Sequence, residues 1–122
     1  MLRAQAMRAV RVVVDIGLHL ELTIPDDERF HPGERWTPDL ALPFVVERSW
    51  YPEEFMASEV DRYLGLPGQA ISYKVGERVW LGARDAARER GGASFDLKEF
   101  HRAALDLGPM GLAQLDRELA RI

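Results

Sequence analysis

Apolar positions crowd the first twenty residues more densely than one face of a helix can hold. Residues 2–20 read as a single helix, because the run of apolar and small side chains far outlasts a strand. At 100° per residue, Arg8, Arg11, Asp15 and His19 share a stripe roughly 80° wide. Val10, Val12, Val13, Val14, Ile16, Gly17, Leu18 and Leu20 take the rest of the circumference. A helix apolar on most sides is normally buried by neighbours on most sides. It also begins almost at Met1, with no Ser, Thr, Asp or Asn before it as a cap. Such a helix is expected either in a chain cut from something longer or at the start of a self-contained small domain. On the first of these, the Val10/Val14 side is expected to face water or another chain.

The pattern then breaks. Residues 22–35, "LTIPDDERFHPGER", carry two prolines, a glycine and clustered charge, and read as a loop insertion. Thr37 is an N-cap with Pro38 at the first helical position, starting a helix to about Arg48. Pro43 removes one backbone bond inside it, which predicts a kink or a late start. Pro52 opens a third helix with Glu53 and Glu54 in its positive first turn and Gly65 as its terminator. Phe55, Val60, Tyr63 and Leu64 form its inward side.

The spacing of Ile71, Val75, Val79, Gly82, Ala83 and Ala86 predicts a central helix from about Pro67 to Arg90, stopped by the glycine pair at 91–92. Asp96 with Glu99 has the spacing of a capping box for a helix to about Asp106. After "GPMG", Leu112, Leu115 and Leu119 give a last short amphipathic helix over 111–121. No segment alternates with period two and no repeat is present. The expectation is one all-α domain over 1–122, five or six helices in an irregular bundle.

Composition narrows the function classes. Hydrophobic residues are 47% of the chain and charged ones 30%, the mix of a soluble globular protein. A net charge of −4 provides no basic field for nucleic acid and no polybasic patch for anionic lipid. There is no Cys, hence no disulfide, thiolate zinc site or thiol nucleophile. No run reaches the roughly 18 apolar residues of a membrane span, and no signal peptide is evident. A cytoplasmic protein is the expectation.

Two constellations carry possible chemistry. Arg11, Asp15 and His19 repeat at a spacing of four and stack on one helix face. Asp15 can pair with Arg11 on one side and orient the imidazole of His19 on the other. So held, His19 is suited to acid–base work or to donating a hydrogen bond to developing negative charge. A salt-bridged polar edge on a surface helix is the alternative. In "PGQAISYKVG", residues 67–76, Gln69 and Tyr73 lie within about 40° of each other on a helix. Ser72 and Gly76 beside them would permit close approach of a substrate. A Tyr hydroxyl can donate to an oxyanion and a Gln amide can hold a substrate backbone. A Tyr at the domain rim with its hydroxyl in water would leave the same pattern. His19, His31 and His101 form no H-E-x-x-H pair, and no P-loop, dinucleotide fingerprint or G-x-S-x-G is present. The chain by itself is therefore expected to bind no catalytic metal.

"RVVVDIGLH" at 11–19, "PGQAISYKVGE" at 67–77 and "FDLKEFHRAALDLGPMGLAQLDREL" at 95–119 together resemble the C-terminal portion of a bacterial family catalogued as domain of unknown function family 885. Members of that family are several times longer and look like helical zinc metallopeptidases of the zincin type. Their presumed metal motif, H-E-x-x-P-G-H-H, lies upstream of the part seen here and is not in this sequence. The resemblance implies a C-terminal fragment, inactive alone, of a zinc-dependent hydrolase acting on a peptide. Zinc belongs to the longer parent protein, and the first helix meets the remainder of that chain or a homodimer partner. By position, Arg11, Asp15, His19, Gln69, Tyr73 and Lys74 fall on the family's recurrent residues. His19 and Tyr73 would then stabilise an oxyanion, with Asp15 orienting His19 and Arg11, Gln69 and Lys74 binding substrate. The loop at 22–35 departs from the family pattern and bears on substrate class more than on fold. The rival expectation is a non-catalytic helical module that binds a partner or dimerises through its apolar first helix.

Overall fold

A computed structural model describes residues 2–122. Among them are six α-helices and no strand, only an isolated antiparallel bridge between Thr23 and Arg35. The fold is all-α, as the periodicity predicts. The chain divides into two compact units, residues 1–74 and 75–122. No described helix is long and apolar enough to cross a membrane.

The first unit is built on α1 (Leu2–His19), α2 (Pro38–Ser49) and α3 (Glu53–Gly65). All three pack on one another. Its core joins Met7, Val10, Val14 and Leu18 of α1 to Ala41, Phe44 and Val45 of α2 and Met56, Val60 and Tyr63 of α3. Val14, Val45 and Met56 are fully buried. Burial of each such side chain stabilises the fold by about 1.5–3 kcal/mol. The Val10/Val14 side of α1 is thus covered by this chain's own helices, not by water or a partner. What α1 leaves open is a different side: Val13 is 46% exposed, and Leu20, just beyond the helix, 67%.

Several local expectations hold and others do not. The hydroxyl of Thr37 accepts the Leu40 amide at 3.4 Å and caps α2 as its residue type suggests. Pro43 delays nothing: α2 starts at Pro38 and runs through it, forgoing one amide donor. Trp50 ends α2 in the left-handed region, at φ 56°. On α3, Phe55 and Leu64 lie toward solvent, while Met56 takes the inward place assigned to Phe55.

The 22–35 segment is ordered and contributes to the core. The amides of Ile24 and Trp36 donate to the carbonyls of Glu34 and Leu22 at 2.8 and 2.9 Å, closing it as a hairpin-like loop. Ile24 is buried, and Trp36, Phe30 and Phe44 form an aromatic cluster with ring centroids 4.9–6.1 Å apart. Trp36 also explains Gly17. A Cβ at that position would lie 2.6 Å from Cδ1 of the Trp36 ring, so only glycine lets α1 and the indole meet this closely.

The second unit comprises most of α4 (Ser72–Gly91) with α5 (Leu97–Asp106) and α6 (Leu112–Leu119). Its small core is Ala83, Ala87, Phe100, Ala104 and Leu119, flanked by Trp80, Phe95 and Leu115. The carboxylate of Asp96 accepts the amides of Lys98 and Glu99 at 2.8 and 2.9 Å and caps α5. The central helix begins later than its periodicity suggests, at Ser72 and not at Pro67. Residues 67–71 are turns instead, with Gly68 at φ 79°.

Candidate functional site

The polar stripe of α1 does face polar partners, but not all of those its spacing implies. Asp15 is 1% exposed. Its Oδ1 lies 3.3 Å from Nε2 of His19 and accepts the backbone amide of Gly68 at 3.1 Å. Its Oδ2 is buried with no hydrogen-bond partner. Nε2 of His19 also lies 3.0 Å from the carbonyl of Tyr63. A carbonyl only accepts, so Nε2 must carry the proton. Asp15 and His19 are therefore in contact, and the turn that precedes α4 is tied to the same carboxylate.

Arg11 goes elsewhere than Asp15. Its Nη2 meets Oε2 of Glu59 at 2.5 Å, and its Nε donates to the hydroxyl of Tyr63 at 2.9 Å. That hydroxyl donates in turn to Oε2 of Glu59 at 3.0 Å. Arg62, one turn further along α3, donates to both carboxylate oxygens of Glu59, at 3.3 and 2.8 Å. The result is a closed network in which one carboxylate serves two guanidinium groups and a phenol.

The network sets the protonation of its members. Burial works to raise the pKa of Glu59, but hydrogen bonds from Arg62 and Tyr63 and the charges of Arg11 and Arg62 outweigh it and hold the carboxyl below its ordinary 4.5. Burial pushes the Tyr63 phenol up to about 12, despite the opposing charge of Arg11. The hydrogen bond to Glu59 holds the Arg62 guanidinium above its ordinary value. At neutral pH the cluster is Arg⁺, Arg⁺, Glu⁻ and neutral Tyr.

Gln69 and Tyr73 do not line one helix face, because Gln69 lies in the turn before α4. The Gln69 amide oxygen accepts from Nη1 of Arg62. Tyr73 is 55% exposed, and its ring faces two guanidinium groups of α1: Arg8 at 4.8 Å and Arg11 at 5.9 Å. Nζ of Lys74 donates to Oε1 of Gln5 at 2.8 Å. All six sequence-predicted site residues thus fall in the first unit. Asp15 joins His19, Arg11 joins Tyr73, Gln69 joins α3 through Arg62, and Lys74 joins α1 through Gln5.

Glu59, Arg62 and Gly68 have no place in the sequence-based site, where Tyr63 figures only as a core residue. The signal for three of them was the spacing 59, 62, 63, which puts all three side chains on one face of α3. The remaining histidines are apart from this cluster. His31 pairs with Glu34 at 2.9 Å in the loop, and His101 lies against Trp80 in the second unit. Among the described residues, no group of three or more His, Cys, Asp or Glu is placed to hold a metal ion.

A search among curated proteins finds no match. A family model described as bacterial protein of unknown function (DUF885) matches residues 1–119, which include both the α1 stripe and the Gln69–Lys74 segment. By that match the chain belongs to this bacterial family of unknown function.

Proposed function

We propose that this chain is the C-terminal part of a zinc metallopeptidase-like hydrolase, supplying substrate and oxyanion contacts to an active site whose metal ligands lie elsewhere in a longer protein. Among the described residues no three His, Cys, Asp or Glu stand together as zinc ligands, and this reading places the ligands elsewhere in the longer protein. The chemistry open to this chain is that of its acid–base and hydrogen-bonding side chains.

The observation that carries the reading is the fully buried carboxylate of Asp15 against His19. A buried carboxylate is costly unless something offsets it. Here it faces an imidazole that remains about a quarter exposed. With Nε2–H donated to the Tyr63 carbonyl, the nitrogen left for a substrate is Nδ1. Neutral His19 can accept a proton there. Protonated His19 can donate from it to an oxyanion, with Asp15 beside the ring. In this reading Tyr73, whose ring lies against Arg8 and Arg11, is a second donor, and Gln69 and Arg11 contact substrate.

Zinc content and peptidase activity, measured on this chain and on the full reading frame that carries it, test the reading. Zinc and activity confined to the longer protein, with activity lost in His19→Ala and reduced in Tyr73→Phe, are the expected result. No zinc in either protein, or activity indifferent to both substitutions, overturns it. A second reading then stands, a non-catalytic module that dimerises or binds a partner. Exposed Val13 on α1 and Leu20 just after it are the observation that favours it.

A further inference from the structure

Arg8 has no role in the site described so far. It lies on the same stripe of α1 as Arg11, Asp15 and His19, is partly buried, and its guanidinium carbon sits 4.8 Å from the centre of the Tyr73 ring. Among the described residues it makes no hydrogen bond and no ion pair, although the chain carries 20 acidic residues. The ring holds the guanidinium by its face and leaves the edge donors uncommitted. Around it the charge balance is positive. Arg11, against the same Tyr73 ring, shares the single carboxylate of Glu59 with Arg62. Three guanidinium groups on this face therefore meet one paired carboxylate, and the group without a partner is the one over the exposed ring of Tyr73.

We propose that Arg8, oriented by the ring of Tyr73, is a recognition point for a carboxylate of a peptide ligand. The proposal rests on the hydrolase reading for the nature of the ligand and on this geometry for its place. A planar guanidinium with free edge donors matches a carboxylate through two parallel hydrogen bonds. Aromatic stacking reduces the ordering that such a pair requires. The carboxylate would reach the protein beside the Tyr73 hydroxyl, so one residue would present a donor to the reacting group and a platform to the anchoring one.

The test is a titration of this chain, free of metal, followed by the side-chain resonances of Arg8 and Tyr73. Three acetylated peptides are the probes: trialanine with a free C-terminal carboxylate, the same peptide as its C-terminal amide, and Ala-Glu-Ala amide. A response to the first or third and none to the second is the expected result, and which of the two responds identifies the carboxylate as terminal or side-chain. Arg8→Gln should weaken that binding at least tenfold, and Arg8→Lys should restore part of it while the far-ultraviolet circular dichroism stays unchanged. An equal response to the amide, or inorganic phosphate bound as well as the peptide, overturns the proposal. So does undiminished binding by a folded Arg8→Gln chain. The wild-type titration needs no variant, so a folding defect in one does not decide the matter. Failure of the hydrolase reading would appear in the zinc and activity measurements instead.

Discussion

The backbone amide of Gly68 donates to Oδ1 of Asp15, joining two positions 53 residues apart through a carboxylate that solvent does not reach. The bond ties the turn before α4 to the C-terminal part of α1, and the same oxygen faces His19. Asp15→Ala leaves the Gly68 amide without its acceptor, while His19 keeps the Tyr63 carbonyl, and is expected to destabilise the first unit by about 1–3 kcal/mol. Asp15→Asn keeps an acceptor for Gly68 and should cost less. Urea denaturation of the two variants checks the order, and equal losses would show that the hydrogen bond to Gly68 carries little weight.

The Glu59 cluster gives the protein two pH edges, with opposite signs. Glu59 has its folded pKa depressed below 4.5, so its contribution to stability is present above that value and is lost as pH falls through the folded pKa. Tyr63 has its folded pKa raised from 10.0 to about 12. Its contribution is complete below pH 10 and is lost as pH rises toward 12, because the unfolded chain releases the phenolic proton first. Denaturation midpoints followed with pH should fall at both ends. Glu59→Gln should flatten the acid limb, and Tyr63→Phe the limb between pH 10 and 12. An alkaline limb that persists unchanged in Tyr63→Phe would assign it to other groups.

Gly17 is expected to tolerate no side chain. Its added Cβ would meet Cδ1, Cγ and Nε1 of Trp36 at 2.6–2.8 Å, and a ring locked among Phe30 and Phe44 has little room to withdraw. Gly17→Ala should therefore cost about 1–3 kcal/mol, the range for overpacking, although alanine is the better helix former. Thermal melting together with the Trp36 fluorescence would report both the loss and the displaced indole. A melting temperature raised by the substitution would mean that the loop gives way without cost.

Trp50 offers the opposite case. It occupies the left-handed region at φ 56° and is 68% exposed, so it meets backbone strain while burying little. Trp50→Gly should stabilise the chain by about 1 kcal/mol, since a left-handed helix terminus suits glycine. A melt that drops instead would show that the indole has a packing role its exposure conceals.

Helix existence was legible in the sequence, and the tertiary destinations of polar side chains were not. Spacing placed Arg11, Asp15 and His19 on one face, and they lie there. It also paired Arg11 with Asp15, the nearest acid in sequence, whereas Arg11 meets Glu59, an acid 48 positions away that also accepts from Tyr63. Local periodicity contains no term for such a partner. Similarly, the apolar spacing from Ile71 onward extended α4 back to Pro67, where Gly68 and the Asp15 bond impose a turn. The 22–35 segment read as a surface loop by composition. Ile24 and Trp36 enter the core because the backbone closes on itself there, which residue types alone do not announce.

Tyr63 is gripped at both ends. Its hydroxyl meets Arg11 and its carbonyl meets His19, two residues of α1 that are eight positions, or about 12 Å, apart along the helix axis. One residue of α3 therefore works as a latch on the register of α1. A slip of α1 by a single turn would have to release both ends together. Any ligand that draws His19 toward itself pulls on the same residue that Arg11 and Glu59 hold fast.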